Sequence, residues 1–427
     1  MKKFTFLKVT AISIICISTF ACSNKQQEGS KEKEKASTPS VKLIGKYQFE
    51  NPPKLAKDIH AAMGSSLLHL PGDPDHIFYS SSDRGPNGEL TINNEERRTF
   101  PIPTYTPAVY KIELSKGKIK VTDKIQLKLP KGSDPVTGNA FITGLPNFKE
   151  KDEAPYDAAG KKVLSYDPYG LDTEGLAYNP ADQTFWLSDE YRPSLVQMKK
   201  DGTLLQRLVP VGMEGDFKNA PYLPVKANLP GVLTKREENR GFESVTITPD
   251  GRYLYTMTQS ALTNPDENSR ITRILKIDLK TTKVIAEYAY IFEDGRKLGL
   301  DQHDIVVSDL FAIDEHSLLV DERDTASGKE AKFKKIYKIN LQEATNILNK
   351  DKGKGKTLEQ MNAKDQKAAG IKAVAKKEVV DLLKFGYPYE KAEGITLVGK
   401  KLAVINDDDF GVTDPNSKTE LWLFRLP

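Results

Sequence analysis

Short runs in which apolar and polar residues alternate follow one another from about residue 41 to the C-terminus. Alternation with period two predicts half-buried strands, and the runs come in pairs separated by turn residues. One pattern recurs: a strand, a tight turn, a second strand, then an acidic or polar cluster. Its copies run from Ser65-Ser66-Leu67 to Ser82-Asp83-Arg84, from Glu174-Gly175-Leu176 to Ser188-Asp189-Glu190, and from Glu243-Ser244-Val245 to Thr258-Gln259-Ser260. Two more run from Ser308-Asp309-Leu310 to Asp321-Glu322-Arg323 and from Glu393-Gly394-Ile395 to Asn406-Asp407-Asp408. Pro249-Asp250-Gly251 and Gly399-Lys400 supply turn chemistry between paired strands.

Each hairpin is followed by further strand signals, which makes four strands per unit. That is the sheet of a propeller blade, so the fold class predicted is an all-β propeller of four-stranded blades. The last unit has only three strands, and residues 41–49 form an orphan strand. Pairing that strand with the C-terminal blade closes the ring and removes an exposed edge. Five blades are countable; residues 131–169 and 211–240 leave room for a sixth. The Lys-rich insertion 342–377, with helix formers in 357–369, is expected to be a helical or charged surface decoration. The propeller domain is expected to span 41–427.

Composition narrows the function. The chain has 427 residues, with 63 Lys and Arg against 59 Asp and Glu. Lys2, Lys3 and Lys8 lie in an N-terminal stretch without acids, and the remainder is balanced. A nucleic-acid binder would concentrate basic charge, so none is expected as a partner. Residues 1–21 read as a signal peptide, basic and then apolar, ending in Ala21 before Cys22. Thr19-Phe20-Ala21-Cys22 is similar to a bacterial lipoprotein box, which implies lipidation of Cys22 and attachment to a bilayer on the extracytoplasmic side. Residues 22–40 carry almost no apolar side chain and read as a disordered tether. The only other cysteine, Cys16, lies inside the signal. Thiol catalysis and a cysteine zinc site are thereby excluded from the body.

Candidate chemistry follows from topology. In an antiparallel hairpin, the start of the first strand and the end of the second share one end. Glu174, Glu243 and Glu393 therefore converge near one mouth of a central channel. Asp189, Gln259, Asp321, Asn406 and Asp407 are expected at the same mouth. Crowded carboxylates repel unless a cation neutralises them, and hard oxygen donors suit Ca²⁺. The expected metal ligands are Glu174, Glu243, Glu393, Asn406 and Asp407. Arg84, Arg192, Arg240 and Arg323 flank the same hairpin ends, and guanidinium groups suit phosphate or carboxylate. Acid, metal and arginine together suit hydrolysis of a phosphate ester. The catalytic candidates are Glu174, Glu243, Glu393, Asp189, Asp321, Arg84 and Arg323, and the expected partner is a small anionic molecule.

The runs Asp172-Thr173-Glu174-Gly175-Leu176-Ala177, Trp186-Leu187-Ser188-Asp189-Glu190-Tyr191, Asn239-Arg240-Gly241-Phe242-Glu243 and Lys391-Ala392-Glu393-Gly394-Ile395 resemble the bacterial esterase-like phytase domain family. Met257-Thr258-Gln259-Ser260, residues 406–411 and Ser82-Asp83-Arg84-Gly85-Pro86 extend the resemblance over nearly the whole body. It implies a secreted or lipid-anchored propeller rich in Asp and Glu, with phosphoesterase activity. Ser244, Arg192 and Asp408 depart from the residues usual there. Two alternatives remain at this stage. One is a Ca²⁺-dependent lactonase or arylesterase with His303 as base; the other is a propeller that binds a ligand or partner without catalysis.

Overall fold

A computed structural model describes residues 40–427 apart from 266, 267, 351 and 354. The expected signal peptide, Cys22 and nearly all of the tether lie outside the described residues. The fold is all-β. Among the described residues, no helix is long and apolar enough to cross a membrane.

The strands form antiparallel meanders in chain order, like the blades of a propeller. The second sheet comprises Thr173–Asn179, Thr184–Asp189, Ser194–Met198 and Leu204–Pro210; Val225–Leu229 adds a parallel edge. The third is Phe242–Ile247, Tyr253–Thr258, Ile271–Asp278 and Lys283–Ile291, and the fourth Ile305–Ala312, Ser317–Asp324, Lys334–Asn340 and Ala375–Asp381. The last comprises Ala392–Val398, Lys401–Asn406 and Glu420–Arg425, and the N-terminal strand Lys42–Gln48 pairs antiparallel with Glu420–Arg425. The first has Ile77–Ser81, Ala108–Ser115 and Lys118–Gln126, with residue 68 bridging to Tyr79 in place of an inner strand. A single parallel pair, Gln48 with Lys118, joins the first sheet to the last.

The regions that left room for a sixth unit carry little sheet. Residues 131–169 contribute only Pro155–Tyr156, paired beside the hairpin Gly88–Ile92 and Glu95–Thr99. Residues 211–240 contribute the parallel edge strand and two short 3-10 turns. Pro146, Pro221, Pro224 and Pro230 punctuate these stretches, and proline cannot donate to a ladder.

The insertion is no solvated charge run. It does hold a short helix, Ala363–Ala368. Ile347, Leu358, Met361 and Ile371 are buried against Ile271 and Ala289 of the third sheet. Glu359 meets the buried Arg273 at 2.6 Å. Its lysines hid that apolar stripe from a composition-based reading.

Innermost strands pack against one another in succession. Two glycines permit this. A Cβ at Gly175 would lie 2.6 Å from the Val245 nitrogen, and one at Gly394 would lie 2.5 Å from the Ser66 carbonyl carbon. Leu67, Leu176, Val245, Leu310 and Ile395, one from each inner segment, line a common small cavity. Apolar side chains thus pack the channel floor.

Candidate functional site

The register between inner and second strands slips at one equivalent place in four sheets. The unpaired residues are Glu174, Glu243, Ser308 and Glu393. Each occupies a bulge, which re-aims a side chain out of the pleat. Ser65 occupies the corresponding position of the first hairpin. Counting from the bulges, the equivalent residues on the second strand's side are Asp83, Glu190, Gln259, Arg323 and Asp407; Arg323 still lies within its strand, Ser317–Asp324.

The two sets meet. Gln259 Nε2 donates to Glu243 Oε2 at 2.9 Å. Arg323 donates from Nη2 to Glu393 Oε1 at 2.8 Å and from Nε to Ser308 Oγ at 2.7 Å. Ser65 Oγ donates to Asp407 Oδ2 at 3.1 Å. Glu174 and Glu190 are 8% and 5% exposed and make no side-chain hydrogen bond or ion pair among the described residues. Glu393 Oε2 is buried without a hydrogen-bond partner.

Asp172, Lys391 and Asp409 complete the cluster. Asp172 Oδ1 accepts from the Arg84 amide at 3.1 Å; its other oxygen lies 3.3 Å from Arg84 Nη1 without a hydrogen bond. Lys391 Nζ donates to Asp409 Oδ1 at 2.7 Å and lies 3.9 Å from Glu393. Oxygens of Asp83, Asp172 and Glu174 lie within 4.8 Å of one another, and so do oxygens of Asp83, Asp407 and Asp409. Among the described residues, Asp83, Asp172, Glu174, Glu190, Glu243, Glu393, Asp407 and Asp409 stand with three cationic side chains, Arg84, Arg323 and Lys391, and Arg84 also pairs with Glu153 at 2.6 Å. Acids outnumber cations in the cluster.

Titration follows that imbalance. Burial, then the Asp172 carboxylate, pushes Asp83 up to about 8. Burial, then Glu393, pushes Glu243 up to about 8. Glu174, Glu190 and Asp407 are driven well above the ordinary carboxyl range, by burial first and by neighbouring charge after it. Burial also opposes ionisation of Asp409, but the Lys391 ammonium outweighs it and holds that carboxyl low. Desolvation and like charge are the two forces that raise a carboxyl, and both act here.

Several residues singled out from the sequence lie elsewhere. Asp189 is inside the second sheet, where it accepts from Ser194 Oγ at 2.7 Å and Arg207 Nη2 at 2.5 Å. Its other oxygen accepts from the Asp172 amide, so it braces the loop that carries a mouth residue. Asn406 spends its amide on the Asp407 and Lys418 carbonyls and the Glu420 amide. Asp321 lies wholly buried, with neither oxygen hydrogen-bonded, and burial pushes it up to about 8. Arg192 pairs with Asp152 and Asp216, beside the edge-packed rings of Phe148 and Phe217. His303 has both ring nitrogens engaged, with Glu237 at 2.7 Å and Arg240 at 3.1 Å. Glu174, Glu243, Glu393, Asp407, Arg84 and Arg323 are brought together. Asp83, Asp172, Glu190, Lys391 and Asp409 were not among the residues singled out.

A family model described as phytase-like, with the esterase-like activity of phytase, matches residues 63–410. The chain belongs to the phytase-like family. An uncharacterized secreted protein of Arthroderma benhamiae is 28% identical over 294 residues, 61% of this chain. The match spans 57% of that relative's length. Similar solved structures include Kuenenia stuttgartiensis hydrazine synthase, 12% identical, with 82% of this chain and 83% of that one covered and a TM-score of 0.34. A putative 6-phosphogluconolactonase from Bacteroides uniformis is 11% identical over 85% of this chain and 88% of its own, with a TM-score of 0.33. A luciferin-regenerating enzyme is 10% identical over 91% and 95%, with a TM-score of 0.37. At such TM-scores the likeness carries no argument about residues.

Proposed function

We propose that the chain is an exported, lipid-tethered propeller of five blades that holds Ca²⁺ in its acidic mouth and hydrolyses phosphate esters there. The observation that carries this reading is the excess of buried carboxylate, with Glu174 and Glu190 making no side-chain hydrogen bond or ion pair among the described residues. Several ionised groups within a few ångströms are tolerable only if protonated or neutralised by a cation. All the candidate donors are hard oxygens, which fits Ca²⁺ rather than a softer metal. Asp83, Asp172 and Glu174 would hold the ion. When bound, it supplies Lewis-acid polarisation of a phosphoryl oxygen and a more acidic water.

The protein's own groups divide the remaining work. Arg84 Nη1 donates to Glu153 at 2.6 Å and Asn239 at 2.9 Å, and its guanidinium lies over the Tyr191 ring. Its other guanidinium donors are assigned to the substrate anion. Arg323 donates through all three of its nitrogens within the protein, and its role is to hold Glu393. Pairing of Lys42–Gln48 with the last sheet, together with the shared floor, supports five blades and a closed ring. The secreted relative and the export signal support an extracytoplasmic location. A lactonase would need a free base, and the engagement of His303 disfavours it.

Thermal unfolding with and without CaCl₂ tests the metal, wild type beside Glu174→Gln. Binding to the native state at a hundredfold excess over Kd stabilises by about 2.7 kcal/mol. A calcium-dependent rise in Tm that Glu174→Gln removes is the expected outcome. A panel of phosphate esters and lactones on the same samples tests the chemistry. Calcium binding with a silent panel would leave a non-catalytic binding propeller, and no calcium effect sinks the metal reading.

A further inference from the structure

The seam that joins the first sheet to the last holds a cavity of about 800 Å³. A single ladder pair, Gln48 with Lys118, links the two outer strands there. Beyond it the strand Lys118–Gln126 and the segment 49–61 leave a groove with Phe49, Leu55, Tyr110, Ile119 and Val121 along its floor. We propose that this groove binds a single-chain amphiphile with an anionic head, a long-chain fatty acid, with the chain on that floor and the carboxylate among the lysines of the rim.

Charge complementarity selects the head group. Four lysines line the groove, Lys116, Lys118, Lys120 and Lys124, against one acid, Glu50. Lys118 pairs with Glu50 at 2.6 Å. Lys116, Lys120 and Lys124 form no ion pair among the described residues. A carboxylate beside such an ammonium gains a charge-assisted hydrogen bond. Lysine stems also lie along apolar surface while their heads stay in water, so the rim serves both ends of an amphiphile.

The backbone builds this combination. From Lys118 to Val121, alternation sends Ile119 and Val121 to the floor and keeps Lys118 and Lys120 exposed. Strict alternation would then carry Lys124 to the face opposite Val121. Instead the register slips: Ile112 pairs with Val121 and Lys111 with Asp123, so Thr122 is left over. This bulge turns Lys124 onto the face of Val121, opposite Tyr110, with its Nζ 5.5 Å from the centre of the Tyr110 ring. A cation thereby stands at the wall of an apolar groove.

Shape favours a ligand that enters over a flat bilayer. Tyr110 and Ile119 are buried, and Phe49, Leu55 and Val121 are half-buried, so the floor lies below the exposed lysines. The large apolar side chains that do stand exposed, Ile44, Leu90, Phe141, Val163, Val211 and Ile285, line none of it. A cavity of this size encloses a small molecule.

The test is calorimetric titration of the full chain with laurate below its micelle concentration. Cys22→Ser in every sample keeps a covalent lipid out of the assay. One laurate per chain is expected, and affinity should rise about fourfold for each CH₂ added between octanoate and laurate. Dodecanol, with the same chain and no charge, should bind about tenfold more weakly or worse, and so should laurate to Lys124→Met. Val121→Trp fills the groove and should abolish binding. If Val121→Trp does not fold, the exposed Lys120→Glu takes its place and should weaken laurate by about tenfold. The proposal is overturned if laurate does not bind, if dodecyltrimethylammonium binds equally well, or if the groove variants leave laurate affinity unchanged. Cosedimentation with phosphatidylglycerol vesicles that Lys120→Glu removes, with monomeric laurate unbound, would make the rim a membrane contact and overturns it as well.

Discussion

On one side of the mouth, Arg323 binds Glu393 and Ser308 while Gln259 binds Glu243. On the other, Asp83, Asp172, Glu174 and Glu190 crowd together, with Arg84 beside Asp172 and the Lys391 ammonium acting across the mouth. Both sides use the same backbone device, a bulge at the start of the inner strand and a polar residue at the equivalent place on the second strand's side. They differ in the residue chosen at that second position: arginine or amide on the first side, carboxylate on the other. The paired side satisfies itself. The acidic side is complete only with protons or cations, so one side reads as scaffold and the other as site.

Breaking the paired side should have the largest effect. Arg323→Met leaves Glu393 buried beside Asp321 with no guanidinium. Removing one partner of a buried ion pair costs about 3–5 kcal/mol. Denaturant unfolding should register that loss at neutral pH, with or without calcium. A cost below about 1 kcal/mol would mean that Lys391, 3.9 Å from Glu393, compensates for the lost guanidinium, and that the two sides are more alike than the contacts suggest.

Relieving the acidic side should have the opposite sign. Glu190 stands where Gln259 stands in the third sheet, so Glu190→Gln copies the paired side onto the other. An unpartnered buried polar group costs about 1–3 kcal/mol, and the variant should regain part of it without calcium. The pH dependence sharpens the point. Asp83 is pushed up to about 8 and Glu190 well above the usual range. Between its unfolded and folded values, each binds more protons in the native state than in the unfolded chain. Stability is therefore full below the unfolded carboxyl value and falls as pH rises toward 8. In chelator, the wild-type Tm should drop from pH 5 to 8, and Glu190→Gln should drop less. Calcium should reverse the slope, since its ligands bind as carboxylates. A flat wild-type profile in chelator would remove the contrast between the sides.

Much of this was legible in the sequence. Hairpin repeats with turn residues at fixed places gave the all-β meanders, and recurrent Glu at the first inner position put Glu174, Glu243 and Glu393 in one mouth. The second position was misaligned by one residue in the second sheet. A bulge adds a residue to one strand only, and a one-residue slip flips every side chain to the other face. Alternation alone therefore placed Asp189 in the mouth, where Glu190 stands. Asp172 and Lys391 precede their strands and belong to no alternating pattern; they open two of the runs that carry the family resemblance, but the alternation assigned them no role. Their role emerges only when separate sheets bring them beside Glu174 and Asp409. The fourth sheet breaks the glutamate series with Ser308, and only the structure shows that Arg323 uses that hydroxyl to hold the Glu393 of the next sheet.

Ser65 provides the smallest and most local test. It occupies the bulge position of the first hairpin, and its hydroxyl is the link between that hairpin and Asp407 of the last sheet. Ser65→Ala removes a single hydrogen bond to a carboxylate, which predicts a stability loss of about 1–2 kcal/mol. If Asp407 is ionised beside a cation, the loss of its donor should also weaken calcium binding, while Gln259→Leu on the paired side should not. Titration of both variants with calcium distinguishes these cases. Equal weakening in the two would mean that calcium senses the whole ring. Weakening in Ser65→Ala alone would place the ion on the side where the carboxylates outnumber their partners.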